Sequence, residues 1–209
     1  MESLAPMQQK PARIRILDAA HELMLTVGLA RATTKEIAKA AGCSEAALYK
    51  YFASKEELFI RVLEERLPTL GPLLDRLMSE PEKYTVEENL TEIARQAALF
   101  YEQSFPIAAS LYAETQLKRR HDDAMREMGA GAHMPIKGVA AYLRVEQRAG
   151  RVHPYADTFA AASLLMGACA QRAFAYDATA EGTPPPVDSF APAVARTLLR
   201  GISLAGDPA

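Results

Sequence analysis

Residues 33–58 read TTKEIAKAAGCSEAALYKYFASKEEL, and three helix starts are crowded into that stretch. Thr33 is followed three residues later by Glu36, and Ser54 by Glu57. That spacing lets a hydroxyl cap the third helical N–H while the glutamate reaches back. Between the two boxes, Gly42 suits the left-handed residue that ends a helix, and Ser44 suits the N-cap of the next. The pattern predicts a helix from Thr33 to Ala41–Gly42, a short one after Ser44, stapled by Cys43 against Leu48, and a fourth from Lys55. Few chains can satisfy so many local signals other than as a tight helical corner.

The segment before it reads as helix from Pro11 to Val27. Ile16, Ala20, Leu23 and Val27 recur at helical spacing, Leu17 and Met24 widen the stripe, and Gly28 supplies the C-cap. In the helix after Ser44, Leu48 and Phe52 are four residues apart and share the face that meets the first two helices. Glu45, Ala46, Tyr49 and Lys50 then project away from the core. Small residues allow close backbone approach to a surface, and Tyr49, Lys50 and Tyr51 carry donors suited to phosphate oxygens. A helix pair of this kind is a helix-turn-helix, whose second helix enters the major groove. The alternative reading is an ordinary helical corner with an amphipathic tail.

The candidate DNA-binding residues are Thr33, Thr34, Lys35, Ser44, Glu45, Ala46, Ala47, Tyr49, Lys50, Tyr51 and Lys55. Thr33, Thr34 and Lys35 are expected at a phosphate-binding helix start, and Lys55 at the other flank. Glu45 is expected to accept from a cytosine N4, and Ala46 or Ala47 to meet a thymine methyl. Lys10, Arg13 and Arg15 are further candidates. Charge agrees with this placement: residues 1–55 carry a net +3 and residues 56–209 a net −5, although the whole chain is only −2.

Residues 15–59, RILDAAHELMLTVGLARATTKEIAKAAGCSEAALYKYFASKEELF, resemble the DNA-binding domain of the TetR family of transcriptional regulators. The resemblance rests on ILDAAHEL, Gly28, Thr33, Ile37–Ala38, Ala41–Gly42, Ser44, Leu48–Tyr49, Phe52 and Lys55–Leu58, all in order. Cys43, Met24 and Tyr51 depart mildly from the family pattern. The resemblance implies an all-α chain with an N-terminal three-helix DNA-binding domain joined to a larger helical domain for ligand binding and dimerisation. Its expected bounds are a flexible arm at 1–10, the DNA-binding domain at 11–57 with its motif at 33–52, and the C-terminal domain at 58–209.

Past residue 60 the signals are softer. Thr85 and Glu88 form another capping box, predicting a helix to about Gln103. Prolines at 106, 135 and 154 suggest further starts, giving helices near 106–118, 119–128, 135–149, 154–178 and 188–204. Residues 67–84 read as a kinked continuation of the fourth helix. Phe159, Ser163, Met166, Phe190, Val194, Leu198 and Ile202 form stripes that could pair two subunits as a four-helix interface, or complete a monomer core. Phe100, Phe105, Tyr112, Met125, Met128, Met134, Tyr142, Met166 and Gln171 could line an adaptable apolar ligand site, and suit a core equally well.

Other chemistry finds little footing. His121 precedes Asp122–Asp123 without a further ligand at helical spacing, so no metal and no cofactor is expected. No Ser/His/Asp, Cys/His or Gly-rich phosphate arrangement points to an enzyme. Cys43 and Cys169 read as reduced thiols, and neither the N-terminus nor the apolar run 159–170 reads as a secretory signal or bilayer span, so the expected location is cytoplasmic. The expected partners are double-stranded operator DNA, a second copy of the chain and a small, largely apolar effector, with no membrane. The reading is a homodimeric repressor that an effector releases from DNA. The alternative is a DNA-bound interaction protein that works through a protein partner.

Overall fold

A computed structural model of the chain describes residues 10–202 apart from 30, 68–69, 81–82, 114, 128, 130, 132 and 178–182. Its elements are all helices: α1 (Ala12–Thr26), α2 (Thr34–Ala40), α3 (Glu45–Leu48), α4 (Lys55–Arg66), α5 (Gly71–Ser79), α6 (Val86–Ala113), α7 (Thr115–Glu127), α8 (Met134–Arg148), α9 (Thr158–Asp177) and α10 (Val187–Ile202). Among the described residues there is no strand, and no helix is long and apolar enough to cross a membrane.

The local chemistry of the opening segment is realised nearly as its spacing predicts. The Thr33 hydroxyl accepts from the Glu36 N–H at 3.2 Å, and the Glu36 carboxylate accepts from the Thr33 N–H at 3.1 Å. Donation to that carboxylate from the Thr33 N–H first, and then from the Thr33 hydroxyl at 2.8 Å, holds Glu36 below the usual carboxylate range. Ser44 caps α3 by accepting from the Ala47 N–H at 3.1 Å, and Ser54 caps α4 by accepting from Glu57 at 3.0 Å. Glu57 reaches one residue further back than expected, accepting from the Ala53 N–H at 2.7 Å. Each such cap stabilises its helix by about 1 kcal/mol. Gly28 and Gly42 both take left-handed φ, at 82° and 64°. At Gly42 this reverses the chain within two residues, which a side chain would oppose.

The chain divides into two compact units. The first comprises residues 1–67 and 103–131. In it α1 packs on α2 and α4, α2 on α3, and α4 on α7. Ile16, Leu17, Ala20, Met24, Ile37, Leu48, Phe52, Leu58 and Phe59 form its core, joined by Ile107 and Leu111. Leu48 and Phe52 are fully enclosed, each contributing roughly 2 kcal/mol of apolar burial. This packing, more than its four-residue length, holds α3 in place.

The second unit comprises residues 68–102 and 132–209. Here α8 packs on α5 and α9, and α9 on α10. Leu73, Leu74 and Leu77 of α5 and Ile93, Ala94 and Ala97 of α6 belong to its core, with Val139, Leu143, Leu165 and Cys169. A Cβ on Gly138 would lie 2.6 Å from the Leu74 side chain, so this glycine is what lets α5 and α8 close together. Burial pushes the Cys169 thiol up to about 12, which makes it inert.

Three expected boundaries differ. Residues 67–84 do not continue α4: Leu67 is extended at φ −102°, ψ 155°, and a separate α5 begins at Gly71. Leu67 precedes a proline, whose ring disfavours the helical region for it. The helix expected to end near 103 instead runs unbroken to Ala113, so position 106 starts nothing; one lost N–H is tolerated in a helix this long. At the start of α9 the chain turns through Pro154 and Tyr155, and Asp157 caps by accepting from Phe159 and Ala160 at 2.9 and 3.0 Å.

Candidate nucleic-acid interface

The first unit sorts its charges by location. On or beside α1, α4 and α7 most cations are paired: Lys10 with Asp18 at 2.9 Å, Arg66 with Asp18 at 2.8 Å, Arg13 with Glu65 at 2.5 Å, Arg61 with Glu64 at 2.7 Å and Lys118 with Asp122 at 2.5 Å, while Arg15 and Arg119 have no acid partner among the described residues. Burial pushes Asp18 up, but hydrogen bonds from Lys10 and Arg66 outweigh it and leave the carboxyl below its ordinary value. Glu65 is lowered likewise, chiefly by the hydrogen bond from Arg13. Arg13 also lies over the Phe52 ring, 5.5 Å from its centroid. Lys10 and Arg13, read from sequence as free for DNA, are therefore neutralised within the protein. Arg15 reaches across to the Gly42 turn instead, its guanidinium 3.9 Å from where a Cβ on that glycine would lie.

Around α2 and α3 the pattern reverses. Arg31, Lys35, Lys39 and Lys50 are exposed and make no ion pair among the described residues. Residues 31–55 contain only two acids, Glu36 and Glu45, against five bases. Both acids are used internally: Glu36 closes its capping box, and Glu45 accepts from the Thr34 hydroxyl. What faces solvent here is a positive field with hydroxyl and aromatic groups set in it, the electrostatic footprint of a phosphate-binding surface.

The candidate side chains fall on this surface with distinct tasks. Tyr49 and Tyr51 remain 48% and 46% exposed although each follows closely on buried Leu48. Thr33, Lys35, Ser44, Glu45, Ala46 and Lys50 are exposed, while Thr34, Ala47 and Lys55 are half-buried. The hydroxyls of Thr33 and Ser44 serve as helix caps, and the Lys55 ammonium lies over the Phe59 ring at 5.1 Å. The link between Thr34 and Glu45 joins α2 to α3 and was not visible in the spacing; eleven residues separate the two, so only the fold brings them together.

The other candidate sets are more scattered. Of those read as ligand-lining, Tyr142 and Met166 are enclosed in the second unit's core, where Phe100 is half-buried and Met134 and Gln171 are exposed. Phe105, Tyr112 and Met125 belong to the first unit, and Met128 lies outside the described residues. Tyr112 is largely exposed beneath Lys118. Among the residues read as a subunit interface, Met166 and Leu198 are buried within the chain, and Ser163, Phe190 and Val194 are half-buried. Only Phe159 is open, and nothing of the Ile202 side chain is described. The exposed apolar residues of α9 are instead Leu164, at 67%, with Phe159 and Phe174, and nothing stands near Gly167. Because α9 is apolar all round, its sequence gives no stripe from which to choose that face.

A polar cluster in the second unit also escaped the sequence reading. Glu146 of α8 is completely buried and accepts from the Arg151 guanidinium at 2.5 Å. Tyr142, one turn before it, is likewise buried beside Asn89 of α6. Burial pushes the Tyr142 hydroxyl far above its ordinary value, with Asn89 opposing the shift and the neighbouring Glu146 adding to it. The clue was a glutamate continuing the apolar stripe Val139, Tyr142, Leu143.

Residues 16–62 match the model for bacterial regulatory proteins of the tetR family. The chain is 30% identical over 120 residues to a fatty acid metabolism regulator protein of Bacillus subtilis, covering 56% of this chain and 57% of that one, so it spans little over half the length of this relative. The fold resembles FadR of Bacillus subtilis, solved in complex with stearoyl-CoA, with a TM-score of 0.66 at 19% identity over 90% of this chain and 98% of that one. It also resembles NalD, the secondary repressor of the MexAB-OprM multidrug efflux pump in Pseudomonas aeruginosa, with a TM-score of 0.64 at 21% identity over 94% and 97%. Residues 16–62, with the helix-turn-helix at their centre, are therefore similar to the tetR family of bacterial regulatory proteins, and over the rest of the chain the likeness to these solved structures is one of fold.

Proposed function

We infer that this transcriptional regulator is a homodimeric repressor that leaves its operator when a small, largely apolar effector binds. The observation that carries the DNA-binding part is the segregation of charge. Arg31, Lys35, Lys39 and Lys50 face solvent with no ion pair among the described residues, while Glu36 accepts from the Thr33 amide and Glu45 accepts through one oxygen from the Thr34 hydroxyl. Tyr49, Lys50, Tyr51 and Lys35 would contact phosphates, and Glu45 and Ala46 base edges. Two copies would place two α3 helices in successive major grooves of a near-palindromic site.

The open apolar face of α9 supports the dimer. Leu164 and Phe159 would be buried against the same face of a second copy, beside α10. An effector that binds one separation of the two α3 helices better than the other would weaken DNA binding by the factor by which DNA weakens effector binding. Long-chain acyl-CoA is the first effector class to test, because a protein of similar fold holds stearoyl-CoA.

The test is binding of the purified chain to DNA upstream of its own gene, at fixed salt with excess competitor. It is repeated with long-chain acyl-CoA and a panel of apolar compounds. Specific binding by a dimer, abolished by one compound, is the expected result. Specific binding that no compound alters would favour the interaction-protein reading. Absence of any specific site, there or in selection from random duplexes, would overturn the DNA-binding assignment.

A further inference from the structure

We propose that Thr34 is a specificity-positioning residue, whose hydroxyl fixes the Glu45 carboxylate so that its second oxygen addresses one amino-bearing base in each half-site. This rests on the reading of α3 as the base-reading helix, and it assigns a different task to a threonine that the sequence suggested as a phosphate contact.

The argument starts from the proton count. A threonine hydroxyl has one proton to donate. In this structure Thr34 Oγ1 gives it to Glu45 Oε1, so it has none for a phosphate oxygen. A glutamate at the start of an exposed DNA-facing helix is otherwise a poor choice. Its charge repels the phosphates, and three side-chain torsions let it swing among several base pairs. The hydrogen bond from α2 removes that freedom at one end, and half-buried Thr34 is itself held in the first turn of a capped helix.

Among the described residues Glu45 Oε2 has no hydrogen-bond partner, and the Glu45 side chain is exposed. As an ionised acceptor it matches the amino group of cytosine N4 or adenine N6, and it opposes the acceptor edges of guanine O6 and thymine O4. The carboxylate therefore rejects as well as selects, and rejection is sharp only if the group cannot turn away. Both acids of this surface are held by one oxygen, Glu36 by Oε2 in its capping box and Glu45 by Oε1 at Thr34, but only Glu45 stands at the start of α3.

The experiment is selection of binding sites from random duplex DNA with the full chain and with Thr34→Val, Thr34→Ser and Glu45→Ala. The unaltered chain should prefer an amino-bearing base at one position per half-site, and Glu45→Ala should abolish that preference alone. Thr34→Val, nearly isosteric, should reduce discrimination at the same position by about fivefold, the order of one hydrogen bond. It should add nothing to Glu45→Ala at that position. Thr34→Ser, which keeps the donor, should restore the preference.

Three results would overturn the proposal: an unchanged profile for Glu45→Ala, an unchanged profile for Thr34→Val, or a uniform loss of affinity for Thr34→Val with the preference intact. The last would return Thr34 to the phosphates. If the unaltered chain enriches no site, the DNA-binding reading itself falls, and that outcome is distinct from the other three.

Discussion

The two compact units differ in where they place charge. In the first, ion pairs lie at the surface of α1, α4 and α7, and the exposed face of α2 and α3 is left positive. The second also pairs charges at its surface, Lys83 with Glu80 and Arg196 with Glu87, but in addition it takes charge inside. Glu146 is wholly buried against Arg151, and Arg172 is nearly buried with Glu102, donates to the Pro185 carbonyl at 2.8 Å and lies over Phe190. There the open face, on α9, is apolar. A surface meant for a polyanion must keep its cations in water and unclaimed. A surface meant for another copy of a helix gains most from apolar area, and its charges serve to fix internal register instead.

The sharpest way to break that contrast is to remove one member of a pair in each unit. Arg151→Met leaves Glu146 buried without its cation and should cost about 3 kcal/mol or more. For a chain of this size that is roughly 6–12 °C in Tm. Removing the exposed Arg126 from Asp123 should cost no more than about 0.5 kcal/mol. Replacing both Glu146 and Arg151 by methionine should recover most of the first loss. Equal costs for the two single variants, read by thermal unfolding, would mean that burial does not separate the pairs.

Next in size is the α9 face. Leu164→Glu places a charge where the proposed dimer would exclude water, and the dimer dissociation constant should rise by about a hundredfold or more. Sedimentation at several concentrations would show it, with the helical content and Tm of the chain little changed because Leu164 is exposed in it. A dimer that survives this change is built on another surface.

How much of each unit could be read in advance follows from the range of the interactions. Thr33 with Glu36, Ser44 with Ala47 and Thr85 with Glu88 act across three residues, so the caps and the helix-turn-helix were legible. Even the break at Leu67 was encoded locally, by the proline after it, though its effect was read as a kink. The link from Thr34 to Glu45, the pairing of Arg13 with Glu65 fifty-two residues away, and the contact of Arg172 with Glu102 depend on how helices meet. On α9, where nearly every side chain is apolar, no pattern says which face is open. The candidate ligand and interface residues are spread between core and surface: Tyr142 and Met166 lie in the packed core, while Met134 and Phe159 are exposed.

A smaller effect separates free from paired lysines within the first unit. Lys50→Ala should weaken operator binding several-fold and reduce the slope of log K against log salt by about 0.9, one phosphate contact's worth. Lys10→Ala, which removes a cation already paired with Asp18, should change neither by a comparable amount. Titrations at three salt concentrations would decide it, and equal slopes for the two variants would end the distinction between claimed and unclaimed cations.

The smallest expected effect concerns His21 in α1. Its pKa is lowered, by burial first and then by Arg66, with Asp18 pulling the other way, and its buried Nε2 has no hydrogen-bond partner among the described residues. The folded chain therefore binds a proton there less readily than the unfolded chain. Above the ordinary value near pH 6.5 both states are neutral and the residue contributes no pH dependence. As pH falls through 6.5 towards the folded-state value, the unfolded chain takes up the proton first and stability declines. His121 acts in the same direction, lowered by burial and by Lys118 against Asp122 and Glu56. The lowered carboxylates, Asp18 and Glu65, contribute stability above their ordinary values and lose it only at lower pH, so they stay out of this window. Melting temperatures at pH 7.5, 6.5 and 5.5 should thus fall with acidity, less steeply in His21→Gln and less again when His121→Gln is added. A steeper fall in either variant would reverse the sign and show that protonated histidine is stabilised by the carboxylates beside it.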